Sequence, residues 1–200
     1  MFKEILEIYK DIFKSDSYHI DGKIITNKLC TETDNLGRNT KYKSKQSINL
    51  QTAVDQHGIP LGFGILKGSD SEISNMVNVL EQIDLEDVKN KKEKTYFTAD
   101  AGYDSKKNRD YLNDKGYTEL IWFNKRNIKD ENIIKNRKMS KTKLNKYKKR
   151  HIVENYFAWI DIKIPRLTRI YDKKIKNYLS MVFLSTIDLI IGRINVRLKV

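Results

Sequence analysis

Three acidic residues stand where they could do chemistry. Asp21 lies in His19-Ile20-Asp21-Gly22-Lys23, Asp100 in Thr98-Ala99-Asp100-Ala101-Gly102-Tyr103-Asp104, and Glu154 in His151-Ile152-Val153-Glu154-Asn155. The first two sit on predicted β-strands or at their ends, the third in a predicted helix. Carboxylates far apart in sequence, brought into one crevice, can hold two divalent metals about 3.5–4 Å apart that act on both oxygens of an in-line phosphodiester displacement. Mg²⁺-type ions bind through few carboxylates and keep positions for water and phosphate.

The elements around them must be rigid. Residues 2–14 carry apolar residues at helical spacing (Phe2, Ile5, Leu6, Tyr9, Ile12, Phe13) and predict a short amphipathic helix. Tyr18–Ile25 predict a strand that carries Asp21, and residues 27–46 a polar, basic loop. Ile48–Val54 and Leu61–Leu66 predict a hairpin around Asp55-Gln56-His57-Gly58-Ile59-Pro60. A helix capped by Ser71 follows, then a strand ending at Asp100, a helix over 106–115 and a strand over 118–123. Residues 124–142 are basic and lack periodicity. Helices over about 143–160 and 174–196 complete the chain, with Pro165 stopping the first. The expected fold is α/β: a mixed five-stranded sheet with helices on both faces. Residues 1–16 read as a helix left from an upstream region, and 17–200 as one domain.

On a continuous helix Tyr147, Arg150, Glu154 and Asp161 fall near one side, and Ile152, Val153, Tyr156 and Ile160 on the other. A solvated i,i+4 Arg–Glu pair would give the same pattern. Asp55 and Asp104 compete as ligands, though turns and helix starts favour Asp there. His19-x-Asp21 and His151-x-x-Glu154 leave a histidine–carboxylate site open. Gly62-x-Gly64 fits a strand better than a phosphate cradle.

The chain has 200 residues and a net charge of +13, a balance suited to a polyanion such as nucleic acid. A Lys-rich solubilising surface is the plainer alternative. One cysteine, Cys30, excludes an internal disulfide and a thiolate zinc cluster, and points to a reducing, intracellular setting. The apolar run Tyr178–Ile191 is broken by Ser180, Ser185, Thr186 and Asp188; it reads as a core helix too short for a bilayer, so no membrane partner is expected.

Taken together, the blocks resemble the DDE transposases of bacterial-type insertion sequences, in the subgroup whose third block reads Tyr-x2-Arg-x3-Glu-x6-Lys. Tyr147, Arg150 and Glu154 have those spacings. Ala99-Asp100-Ala101-Gly102-Tyr103-Asp104 is similar to the second block, and Ile20-Asp21-Gly22 with the downstream Gly37-Arg38 and Val54-Asp55 to the first. The resemblance implies an RNase H-like fold, Mg²⁺- or Mn²⁺-dependent hydrolysis at transposon ends, and attack of a 3′-hydroxyl on target DNA. It implies that Asp21, Asp100 and Glu154 hold two ions, and that Tyr147 and Arg150 position the DNA strand. Basic loops bearing Arg38, Lys43 and Lys45, and the segment 125–150, would contact the backbone; Trp122 and Trp159 could stack on a base, though core or sheet-covering positions are the plainer reading for them. Pairing of two ends implies a homodimer on DNA. Position 161, Lys in the family pattern, is Asp161 here, with Lys163 the nearby basic substitute. A non-catalytic DNA-binding remnant, or a metal-dependent nuclease of the same fold, would share most of these features.

Overall fold

The computed structural model describes residues 1–83, 88, 89, 91, 93–125, 132 and 139–198. In chain order its elements are α1 (Phe2–Ile12), β1 (Ser17–Asn27), β2 (Gly37–Asn39), β3 (Lys45–Asp55), β4 (Pro60–Lys67), α2 (Glu72–Ile83), β5 (Tyr96–Ala99), α3 (Lys106–Asp114), β6 (Thr118–Ile121), α4 (Lys141–Lys148), α5 (Ile152–Lys163), β7 (Arg169–Ile170) and α6 (Ile175–Leu198).

Strand β1 is central. One of its edges pairs antiparallel with β3 from Tyr18↔Asp55 to Thr26↔Ser47. The other pairs parallel with β5 only at Ser17–His19, and with β7 only at Thr26–Asn27. Residues 20–25 of β1 therefore border a gap in the sheet between the end of β5 and the start of β7. Strand β6 extends the sheet beyond β5, while β2 and β4 share the far edge of β3.

Alternation along β1 and β3 divides the core in two. Tyr18, Ile20 and Ala53 face α2, where Met76, Val79, Leu80 and Ile83 pack with Phe97 and Leu112. Ile25, Ile48, Leu50 and Val54 face α5 and α6, against Val153, Tyr156, Ile160, Tyr178 and Val182. Helices thus cover both faces. Helix α1 joins through Leu6 and Tyr9, which pack with Ile59 and Ile190. The Tyr9 hydroxyl donates a 2.8 Å hydrogen bond to the buried Asp55 carboxylate. The same carboxylate accepts from the His57 and Ile59 amides at 2.9 Å and shapes the β3–β4 turn, where Gly58 has φ +79°.

The mixed α/β sheet follows the expectation with three differences. It has seven strands rather than five: β2 and β7, of three and two residues, are too short to leave a periodic signal. The segment read as a loop over 27–46 contains β2 and two 3-10 turns, Thr33–Asn35 and Thr40–Tyr42. The helix expected from 143 to 160 is broken by a 3-10 turn, Lys149–His151. Most of the basic segment 124–142 lies outside the described residues. The apolar run near the C-terminus sits in a 24-residue helix, about 36 Å long at 1.5 Å per residue, which by length and composition could cross a bilayer. Its Tyr178, Val182 and Ile190 are packed into the protein, as in a core helix.

Candidate active site

Asp21 lies opposite Thr52 in the β1–β3 register, beside the gap and on the α5 side of the sheet. Strand β5 ends one residue before Asp100. The parallel register pairs His19 with Thr98, and continuing it sets Asp100 level with Asp21. Asp100 then caps the following 3-10 turn, accepting from the Gly102 amide at 2.6 Å. The break between α4 and α5 supplies the third element. It displaces Arg150 from the helical ladder and leaves Glu154 in the first turn of α5.

Arg150 joins the pieces. Its Nη1 donates to Asp21 Oδ2 at 2.7 Å, and its Nη2 reaches Glu154 Oε1 at 3.5 Å. The second Asp21 oxygen accepts from the Gly22 amide at 2.8 Å. Tyr147 stands beside the same guanidinium, and its ring lies 5.1 Å from that of Trp122. Trp122 is exposed, and its amide donates to the Ala99 carbonyl next to Asp100.

Burial lifts the Asp21 pKa above the usual carboxylate range despite Arg150, and nearby Asp100 adds to the rise. Burial alone would weaken the Arg150 charge, but the Asp21 carboxylate reverses this and raises its pKa. Burial likewise raises the Tyr147 hydroxyl. These groups are tuned by one another, as residues of a functional site commonly are.

His19 belongs to the framework. It is fully buried, and its Nδ1 shares a 2.7 Å hydrogen bond with Thr98 Oγ1 across the β1–β5 pair. Burial, then the positive charges of Lys149 and Arg150, push its pKa down from 6.5 to about 4. The unfolded chain therefore binds a proton more readily than the folded one between those values. The neutral ring's stabilisation is complete above pH 6.5 and is lost as the pH falls towards 4. Wild type should lose about 3 kcal/mol more than His19→Gln over that window, read from urea unfolding at each pH. Parallel pH profiles for the two proteins would refute this.

The remaining residues singled out in the sequence lie elsewhere. Asp55 braces a turn, and Asp104 takes Arg109 at 2.8 Å and the Asn124 amide at 2.8 Å. Arg38, Lys43 and Lys45 are exposed around β2 and the start of β3. Lys45 is seven residues along β3 from Thr52, the partner of Asp21, hence about 23 Å away. Lys163 is exposed at the end of α5, about 13 Å along the helix from Glu154. Two side chains at the site were not anticipated. Lys23, two residues from Asp21 on the same strand face, pairs with Asp161 at 2.5 Å. Glu72, at the start of α2, places its carboxylate beside Gly22 and Gly102. Period-2 alternation could have flagged Lys23; nothing local distinguishes Glu72 from any acid at a helix start.

Among the described residues, no three acidic, histidine or cysteine side chains already stand together as a metal cage. Asp21 is turned to Arg150, and Asp100 to its own turn. The donors nonetheless fit a hard cation: they are carboxylate oxygens, and a guanidinium already sits between Asp21 and Glu154 where positive charge is favoured.

Compared with known proteins, the chain matches the family model described as the transposase DDE domain, over residues 20–187. No curated protein matches it. The matched stretch takes in all three acids together with most of β1 and all of β5 and α5, and on that extent the chain belongs to the DDE-domain transposases.

Proposed function

We propose that the chain is the catalytic domain of an insertion-sequence transposase that cuts DNA at transposon ends and joins the freed 3′-hydroxyl to target DNA. The carrying observation is the Arg150 guanidinium held between Asp21 and Glu154, beside the strand end that bears Asp100. Asp21, Asp100 and Glu154 would hold two Mg²⁺ or Mn²⁺ ions, which, when bound, activate the attacking oxygen and stabilise the leaving one. Arg150 has a planar, permanently charged fork suited to a phosphate, and Tyr147, beside it, would help to steady it. The exposed Trp122, backed by Tyr147, offers a stacking face at the rim of the site. The net charge of +13 supports DNA as partner, and joining two ends calls for a second copy. Lys163 is the substitute phosphate contact on α5, while Arg38, Lys43 and Lys45 would meet DNA away from the cutting centre.

Mn²⁺ binding in the presence of a short duplex tests this reading. Asp21→Asn, Asp100→Asn and Glu154→Gln should each abolish tight Mn²⁺ binding while leaving salt-dependent duplex binding in place. Duplex binding that needs no metal, with no effect of the three substitutions on Mn²⁺, would sink the catalytic reading and leave a DNA-binding relic.

A further inference from the structure

The gap between β5 and β7 is approached from both faces of the sheet. Asp21 comes from the α5 side. From the α2 side comes Glu72, and two glycines make room for it. A Cβ on Gly22 would lie 2.7 Å from Glu72 Oε1, and one on Gly102 would lie 3.2 Å from Glu72 Oε2 and 2.8 Å from Asp100 Oδ1. The Glu72 and Asp100 carboxylates therefore border the same small space, where β5 has left the sheet.

The Glu72 carboxylate is held in place and only half used. Oε1 accepts from Asn49 Nδ2 at 2.7 Å and Gln51 Nε2 at 3.3 Å. Gln51 is fixed in turn by the Tyr103 hydroxyl at 2.5 Å. Glu72 Oε2 has no hydrogen-bond donor among the described residues and faces the Asp100 turn. An independent observation points to a cation here. Asn49 is only 4% exposed, and its Oδ1 is a buried acceptor with no donor, 2.4 Å from the point a Gly22 Cβ would occupy. An unpartnered acceptor beside a carboxylate is costly without a donor or a positive charge, and amide oxygens and carboxylates are both ligands of hard divalent ions.

We infer that Glu72 is a fourth carboxylate of the metal centre, binding the divalent cation shared by Asp21 and Asp100 from the opposite face of the sheet. The inference rests on the metal-dependent reading given above and adds a ligand to it. Gly22 and Gly102 are then required because any side chain there would stand between Glu72 and the ion.

Mn²⁺ titration of the full chain with a short duplex, followed by electron paramagnetic resonance, tests it. Glu72→Gln keeps an oxygen for Asn49 and Gln51 and removes the charge. It should weaken Mn²⁺ binding at least about tenfold, with unchanged circular dichroism and thermal midpoint. Glu72→Asp, which keeps the charge but shortens the reach by one methylene, should weaken it too, and decides the matter if the Gln variant fails to fold. Wild-type Mn²⁺ affinity in a folded Glu72 variant, with affinity lost in Asp100→Asn, would make Glu72 a brace for Asn49 and Gln51 and overturn the inference. Wild-type affinity in Asp21→Asn and Asp100→Asn as well would remove the underlying metal reading instead.

Discussion

Asp21→Asn should lower metal-dependent DNA cleavage by at least about a thousandfold while leaving the folded protein nearly as stable as before. The separation of the two effects is what matters. Burial holds the Asp21 carboxyl above its ordinary pKa, so its charge is a burden on the fold at neutral pH. Asparagine removes that charge and keeps an oxygen for the Gly22 amide, which Asp21 accepts at 2.8 Å. Arg150 loses one partner but keeps Glu154 at 3.5 Å. The gain and the loss oppose each other, so the net change should stay within about 1 kcal/mol. Cleavage of a nicked or end-bearing duplex in Mg²⁺ and in Mn²⁺, with a urea melt of the same sample, reads both. An inactive but markedly unfolded variant would assign Asp21 to the framework, and an active one would remove it from the centre.

Arg150→Ala should behave in the opposite sense. It strips Asp21 of the 2.7 Å ion pair that offsets its burial. With about a fifth of each side chain exposed, the loss should cost about 2–3 kcal/mol near neutral pH. The sign follows from linkage. Without Arg150 the Asp21 pKa rises further, so the penalty is present above that raised pKa and fades as the pH falls and the carboxyl takes up a proton. Without DNA present, Mn²⁺ should stabilise the variant more than it stabilises wild type, in which Arg150 pairs with Asp21. The ion no longer competes with a guanidinium, and at a hundredfold excess over Kd it contributes about 2.7 kcal/mol. DNA cleavage should nevertheless fall by about a hundredfold, because the proposed phosphate contact would be lost. A thermal shift with Mn²⁺ equal in both proteins would mean that Arg150 does not occupy the cation's place.

The strands and helices that carry the acids were legible because each is a local pattern. Tyr18–Ile25 alternate, and an apolar run ends at Asp100. Glu154 lies opposite Val153, Tyr156 and Ile160, which are buried as the wheel requires. What could not be read is what depends on pairing across the chain. Two-residue β7 exists because it lies beside Thr26 and Asn27, not because Arg169 and Ile170 form a strand on their own. The turn at Lys149–His151 interrupts a segment with good helical spacing, and there the reach of Arg150 to Asp21 prevails over local propensity. Asp161, where the resemblance led to the expectation of Lys, gains a physical setting from Lys23: the negative charge on α5 meets a cation from β1 at 2.5 Å. Glu72 is invisible in sequence because its meaning lies in two glycines 50 and 30 residues away.

The parallel pairing of β1 with β5 also bears on how the molecule comes into being. His19 and Thr98, the residues that stitch the two strands, are 79 positions apart, and Arg150 meets Asp21 across 129. Such distant closures are slow and come late. On the ribosome the antiparallel β1–β3–β4 unit can form first, since it needs only the first third of the chain. Asp21 then waits without its partners until α5 has emerged. A growing chain can therefore fold its framework before it carries all three acids of the proposed centre, and interruption before residue 150 leaves Asp21 and Asp100 without either Arg150 or Glu154.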